Sequence, residues 1–208
     1  MTLKEFSLEF DILYDNISSD KAPGLTEYEK SVFLTQAQDA LVLDLYKGVT
    51  GDSFETTEEV TRYLNSLVVS DTIQDLDKET RGDINIYTVD MSEPLFLVYQ
   101  EAIVNNNKAL VIPTKHDFLF NTLENPFKGP SKKRVLSTSE EGCLKLYVKG
   151  ELSEYNLKYI KYPSPIILED LQDLTIKGES QETECKLPES LHLTILTRAI
   201  QMAKAVWA

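Results

Sequence analysis

Apolar residues at the C-terminal end of the chain recur at the spacing of an amphipathic helix. Pro188 suits the first turn of such a helix, and Glu189 complements the positive end of its dipole. Leu193, Leu196 and Ile200 widen the apolar face, so we predict a helix that needs packing partners on two sides. The helix is predicted to run for about five turns to Trp207, with its main apolar stripe at Leu191, Ile195, Ala199, Met202, Ala203 and Val206.

Two Thr-x-x-Glu capping boxes predict the starts of two N-terminal helices. Thr2 and Glu5 open the first, and Thr26 and Glu29 open the second, which is predicted to end at Gly48. A third helix is predicted to start at Thr56 or Thr57. Their apolar stripes are Phe6, Phe10, Leu13, Tyr14 and Ile17, then Val32, Phe33, Ala37, Ala40, Leu41 and Leu45, then Val60, Tyr63, Leu64 and Leu67.

The middle of the chain alternates apolar and polar residues, which is typical of strands. Residues 71–83 are polar and charged and predict an exposed loop, while residues 163–176 predict an extended return and residues 177–186 an acidic, flexible connection. Residues 117–123 predict a short helix. Strands are predicted at residues 84–88, 95–104, 109–112, 133–137, 143–149 and 155–162.

This order of elements predicts an α+β fold. We expect a helical bundle, made of three N-terminal helices and one C-terminal helix, that carries an inserted antiparallel β-rich region. The expected parts are an N-terminal helical part at residues 1–68, the β-rich insertion at 84–162, and a return segment with the terminal helix at 163–208.

The charge balance excludes a general nucleic-acid binder. The chain has 34 acidic and 21 basic residues and a formal net charge of −13, which repels phosphate but also suits a channel through which DNA passes without sticking. One basic cluster stands out, at Lys128 and at Lys132, Lys133 and Arg134. It is either a solvated loop or a contact site for phosphate or an acidic partner.

The chain offers no recognisable catalytic, cofactor or metal motif. It has two histidines, His116 and His192, and neither stands in a ligand set. Cys143 and Cys185 predict free buried thiols rather than a disulfide. No apolar run approaches the length of a membrane span, and the charged start does not resemble a signal peptide. We therefore expect a cytosolic or virion protein that is not an enzyme and has no cofactor.

Four phrases of the sequence resemble a virion protein of crAss-like and related tailed phages. They are residues 9–17 (EFDILYDNI), 22–35 (APGLTEYEKSVFLT), 159–163 (YIKYP) and 187–192 (LPESLH). The layout is similar, more distantly, to the head-to-tail connector proteins of short-tailed phages. The resemblance implies a ring of twelve copies beneath the portal protein, made in the host cytoplasm and built into the virion, which continues the DNA channel into the tail.

An assembly of this kind sets expectations for two surfaces. The terminal helix is expected to contact the portal or an adjacent copy through Leu191, Ile195, Leu196, Ile200 and Trp207. The basic turn at Lys132, Lys133 and Arg134 is expected to meet the next connector or tail component. Two alternatives stay open: an internal, ejected or scaffolding-like virion protein, and a small host-directed binding module.

Overall fold

The computed structural model describes two compact units. The residues described are 1–15, 24–47, 62–74, 76–91, 94–140 and 142–206. The helical unit joins residues 1–67 with residues 162–208, and the sheet unit is the continuous stretch 68–161. The helices with described bounds are α1 (Leu3–Asp15), α2 (Glu27–Lys47), α3 (His116–Leu123) and α4 (His192–Ala205). The predicted α+β class is confirmed, but an eight-stranded sheet is its largest element.

Both predicted capping boxes form. The Thr2 amide donates to the Glu5 carboxylate at 2.7 Å and the Glu5 amide donates back to the Thr2 hydroxyl at 3.3 Å. The Thr26 and Glu29 pair repeats this exchange at 2.8 and 3.3 Å. Each box pairs amide groups that a helix start leaves without partners, which is why α1 and α2 begin where the sequence predicts.

The third predicted helix is described only at its end. Residues 62–64 are helical, and a 3-10 turn follows at Asn65–Leu67. Leu64 and Leu67 are fully buried, as the predicted stripe requires. The predicted start at Thr56 or Thr57 and the predicted stop of α2 at Gly48 lie outside the described residues.

Helix α4 closes the core of the helical unit. It packs against both α1 and α2, so the two partners that its wide apolar face requires come from its own chain. A 3-10 turn at Glu189–Leu191 leads into it, and the helix is shorter than predicted. The buried apolar side chains of these three helices are Phe6, Phe10, Tyr14, Leu34, Ala37, Leu41, Val42, Ile195, Leu196, Ala199, Ile200 and Ala203.

A buried lysine ties α1 to α2. The side chain of Lys30 is only 3% exposed, and its ammonium lies 2.7 Å from Asp11 and 2.8 Å from Glu27. Burial by itself lowers the pKa of Lys30, but the hydrogen bonds to the two carboxylates outweigh it and raise the pKa above its ordinary value. The Ser7 hydroxyl is a third acceptor at 3.3 Å, so the buried ammonium is charged and satisfied and links the two helices.

The return segment, residues 162–188, packs on α2 instead of forming a flexible connection. Ser31, Thr35 and Gln38 of α2 are buried and hydrogen-bond to its backbone. Ile167, Leu171 and Ile176 form an apolar cluster with Tyr28 and Val32. Residues 177–186 also contact α2, through Lys177 with Asp39 and Cys185 with Gln38, which corrects the prediction of a connection without partners. Helix α2 is consequently buried or half-buried along its length except at Glu29, Gln36 and Lys47.

The described residues of the sheet unit form eight strands. Seven neighbouring pairs connect them, and all are antiparallel except β5 with β6. The order across the sheet is β1-β8-β4-β5-β6-β7-β3-β2. The strands are β1 (Val68–Ile73), β2 (Asp77–Arg81), β3 (Ile84–Asp90), β4 (Pro94–Val104), β5 (Asn107–Pro113), β6 (Arg134–Glu140), β7 (Cys143–Val148) and β8 (Leu152–Lys161).

Strands β1 and β2 correct the prediction of an exposed loop at residues 71–83. Every side chain of β2 is exposed, and so are Ser70, Asp71 and Thr72 of β1. Both strands lie at the edges of the sheet, where charged residues are tolerated because one side of the strand faces solvent. The loop prediction failed because the residues are polar, although their backbone is paired.

The sheet curls around its own core. Strands β1 and β2 stand at opposite ends of the strand order, yet only residues 74–76 link them. Such a link spans at most about 14 Å, whereas eight flat strands would be about 34 Å across. The two edges must therefore approach each other. The side chains enclosed are Tyr87, Val89, Ala102, Val104, Ala109, Val111, Val135, Leu144, Leu146, Val148, Tyr155, Leu157 and Tyr159.

Helix α3 covers part of the outer face of the sheet. Leu119 and Leu123 of α3 pack against Ile86, Leu136 and Tyr147. The helix lies in the crossover between β5 and β6, which are parallel and therefore need a long connection. The rest of that crossover carries the basic cluster.

Candidate assembly surfaces

The terminal-helix residues predicted for assembly lie in the core of the helical unit. Leu191 is 7% exposed, Ile195 and Leu196 are fully buried, and Ile200 is 4% exposed. Trp207 lies outside the described residues. The wide apolar face of α4 thus serves intramolecular packing, and the four described candidates are buried within the chain.

A different side of α4 is open to solvent. Leu193 is 60% exposed, and it lines a shallow groove with Thr194, Thr197, Arg198 and Gln201. Arg198 donates to Asp44 of α2 at 2.6 Å and forms one wall of that groove. This side is mostly polar, so it lacks the apolar centre that a stable subunit contact requires.

The basic turn is exposed and tightly built. Lys132 and Lys133 are exposed at the tip of a turn, which two backbone hydrogen bonds between Ser131 and Arg134 close at 2.9 and 3.1 Å. The Arg134 guanidinium reaches back to donate to the carbonyl of Phe127. The turn and the preceding residues are therefore one structure, which we call the basic–aromatic loop, residues 125–134.

Asn125 holds the first half of the basic–aromatic loop. Its side-chain oxygen accepts the amides of Phe127 and Lys128 at 2.9 and 3.1 Å, and its carbonyl accepts the Gly129 amide at 2.8 Å. A Cβ at Gly129 would stand 2.8 Å from the Asn125 carbonyl oxygen, so this close turn requires glycine. Within it Phe127 is 85% exposed.

Helix α1 presents a second exposed apolar pair. Leu8 is 62% exposed and Ile12 is 50% exposed, and residues four apart lie on the same side of a helix. Glu5 lies three residues before Leu8, and Glu9 follows it directly. The buried stripe of Phe6, Phe10 and Tyr14 faces α4 and α2, so Leu8 and Ile12 form a separate, outward strip.

The remaining chemically capable side chains have structural contacts. A ring nitrogen of His116 lies 2.8 Å from the carbonyl of Ser139, and His192 is buried with a ring nitrogen 2.9 Å from the carbonyl of Leu187. Both cysteines are free, as predicted, but they are half-buried. Burial raises the pKa of the Cys185 thiol to about 11, which removes its nucleophilic form at neutral pH.

The described residues contain neither a metal site nor a membrane-spanning helix. No group of three or more histidine, cysteine or acidic side chains there could hold a metal ion. None of the helices in the described ranges is long and apolar enough to cross a bilayer.

Comparison with known proteins identifies the family. The model of the phage tail ring protein 3/4 family matches residues 1–208. The chain belongs to this phage tail ring protein family. It is 39% identical over 221 residues to ring protein 3 of Bacteroides phage crAss001, with 98% of this chain and 95% of the relative covered. It is 33% identical over 224 residues to ring protein 4/5 of the same phage, with 100% and 94% covered.

Membership of this family gives the chain a structural role in the virion. The resemblance noted in the sequence to ring-forming virion proteins of crAss-like phages is confirmed. Both relatives carry ring names, and the matches cover almost the whole chain.

Sequence reasoning missed two of these surfaces. Phe127 was overlooked because one aromatic residue in a loop makes no periodic pattern, although its position between Pro126 and Lys128 in a rigid turn is a usable signal. Leu8 and Ile12 were overlooked because the stripe of Phe6, Phe10 and Tyr14 already accounted for the helix. An apolar pair on the side opposite a complete buried stripe is the signal there.

Proposed function

We propose that this chain forms one ring of the connector between the capsid and the tail, and that the genome passes through its lumen. The observation that carries the proposal is the family match across residues 1–208, together with two relatives named as ring proteins. In this role the copies surround the DNA axis, with the portal protein on one side and further ring or tail proteins on the other.

The charge of the chain supports the channel role. A ring whose subunits each carry a net charge of −13 presents like charge to DNA and keeps the duplex mobile. The same charge makes the copies repel one another, so the contacts between them need apolar centres. Exposed apolar side chains on both units, at Leu8, Ile12 and Phe127, are suited to this need.

We propose a ring of twelve copies, and cryo-EM of purified particles tests both the position and the number. The expected result is density for this fold in a closed ring around the DNA axis, between capsid and tail. Density for the chain inside the capsid would support an ejected or scaffolding-like protein instead. Absence from purified particles would favour a host-directed binding module.

A further inference from the structure

We propose that the basic–aromatic loop of one copy docks on the exposed strip of α1 of the next copy. This inference rests on the proposed ring. It names the two surfaces that join neighbouring subunits: Phe127 with Lys128, Lys132 and Lys133 on one side, and Leu8 and Ile12 with Glu5 and Glu9 on the other. Because these are different surfaces of the same chain, the contact is heterologous and can repeat around a closed ring.

The loop has the properties of a preformed binding element. Its backbone is fixed by the hydrogen bonds of Asn125, Ser131 and Arg134, so little entropy is lost when it binds. Phe127 projects from this fixed backbone with 85% of its surface exposed. Aromatic side chains that become buried are among the residues that dominate the energetics of protein interfaces.

The positive charge of the loop indicates which partner it binds. Residues 125–134 carry four basic side chains and no acid, in a chain whose net charge is −13. Helix α1 carries four acids and one lysine. A second copy therefore offers an acidic surface that attracts the loop, and the apolar pair at Leu8 and Ile12 offers Phe127 a place to be buried.

Duplex DNA is a weaker match for the loop. Phosphates would satisfy the lysines, but they offer no apolar surface to Phe127, and the rest of this acidic chain repels the duplex. The strip on α1 would also remain uncovered. A second copy accounts for both exposed apolar surfaces with one contact.

The decisive experiment mixes two half-defective variants of the full chain. The loop variant is Phe127→Ser with Lys132→Glu, and the helix variant is Leu8→Ser with Ile12→Ser. These side chains are exposed, so both variants should melt like the original chain. For each variant alone, the dissociation constant of self-association should be at least about 30-fold higher than that of the original chain. A 1:1 mixture should form a heterodimer and no larger species, because one intact loop meets one intact strip.

Native mass spectrometry and analytical ultracentrifugation measure this outcome. The control is Leu174→Ser with Lys158→Glu, which removes a leucine about as exposed as Ile12 (49% against 50%) and one exposed lysine elsewhere and should assemble like the original chain. The inference is overturned if either half-defective variant still forms the full oligomer, if the mixture stays monomeric, or if the original chain is monomeric at about 1 mM.

Two further experimental results distinguish this inference from its alternatives. Loss of binding to a short duplex DNA by the loop variant, with assembly unchanged, would overturn the inference in favour of a DNA contact. The proposed function has its own test in the position of the chain in particles. A ring at the connector together with unaffected assembly of the variants would refute the docking surfaces and leave the proposed ring intact.

Discussion

The two units of this protein reach a stable core in opposite ways. The sheet unit uses one continuous stretch, residues 68–161, whose strands pair mainly with antiparallel neighbours and enclose their own apolar side chains. The helical unit brings the first 67 residues together with the last 47, across the whole inserted sheet. One unit is therefore complete in sequence, whereas the other depends on contacts between residues more than 120 positions apart.

The comparison shows how a discontinuous unit secures its return segment. Ser31, Thr35 and Gln38 lie at helical spacing on one side of α2 and hydrogen-bond to the backbone of residues 164–168. That segment has few backbone partners of its own, so buried side chains of α2 supply them. The sheet unit needs no such device because its strands satisfy one another.

The largest test of this contrast removes residues 162–208. Without α4 and the return segment, α1 and α2 should lose their protected structure, because Phe6, Phe10 and Leu34 lose the surfaces that bury them. The sheet unit should keep its protection. Hydrogen–deuterium exchange followed by mass spectrometry measures both in one sample, and protected amides persisting in α1 and α2 would contradict this dependence.

A single charge in the core of the helical unit should have the next largest effect. Leu196→Asp buries an unpaired carboxyl and should reduce the free energy of unfolding by about 4 kcal/mol. Leu193→Asp, on the open side of the same helix, should change it by less than about 0.5 kcal/mol. Urea denaturation measures both, and equal losses would show that α4 does not have the buried and exposed sides described here.

Loss of a polar contact of α2 should have the third largest effect on stability. The Thr35 hydroxyl accepts the Ile166 amide at 3.1 Å and donates to the Ile166 carbonyl at 3.3 Å. Thr35→Val leaves both buried groups unpaired and should reduce the free energy of unfolding by about 2 kcal/mol. The matched control is Thr197→Val, whose hydroxyl is exposed. Similar melting temperatures for the two variants would argue against a role of Thr35 in holding the segment.

The smallest effect is expected at the capping boxes and depends on pH. The hydrogen bond from the Thr26 backbone, followed by that from its hydroxyl, holds the pKa of Glu29 below its ordinary value of 4.5. Because the folded pKa is the lower one, this contribution is complete above pH 4.5 and is lost as the pH falls through the folded value. Thr26→Ala should cost about 1 kcal/mol at pH 7.

The same replacement should cost less at pH 3, where Glu29 is increasingly protonated. Thermal melts at the two pH values measure the difference between the original chain and the variant. Glu29→Gln provides the matched comparison, because it keeps an acceptor but removes the charge. A cost of Thr26→Ala that is identical at both pH values would show that the carboxylate contributes nothing to the cap.

Local patterns predicted individual elements well. The two capping boxes and the stripe of Phe6, Phe10 and Tyr14 were read correctly, and so was the hairpin that pairs β4 with β5. The failures share a cause. Residues 71–83 look like a loop, yet residues 71–73 and 77–81 lie in edge strands, and residues 177–186 look like a flexible connection but pack on α2, because polarity alone does not report backbone pairing or a distant partner.

The candidate surfaces divide in the same way. The basic turn at Lys132 and Lys133 could be found in the sequence because charge patterning is local. The sequence does not distinguish an interface from the core at Leu196 and Ile200, because an apolar stripe shows that a surface is buried without showing what buries it. The exposure of Phe127 follows only from the folded loop.

The sequence by itself determined where α1 and α2 start, which stretches form strands β3 to β8, the acidity of the chain and the family to which it belongs. These properties depend on neighbouring residues or on the sequence as a whole. The tertiary structure alone decided that α4 is covered by α1 and α2, that the return segment packs on α2, and that Leu8, Ile12 and Phe127 remain exposed. Burial is a relation between distant segments, so it is fixed only when the chain has folded.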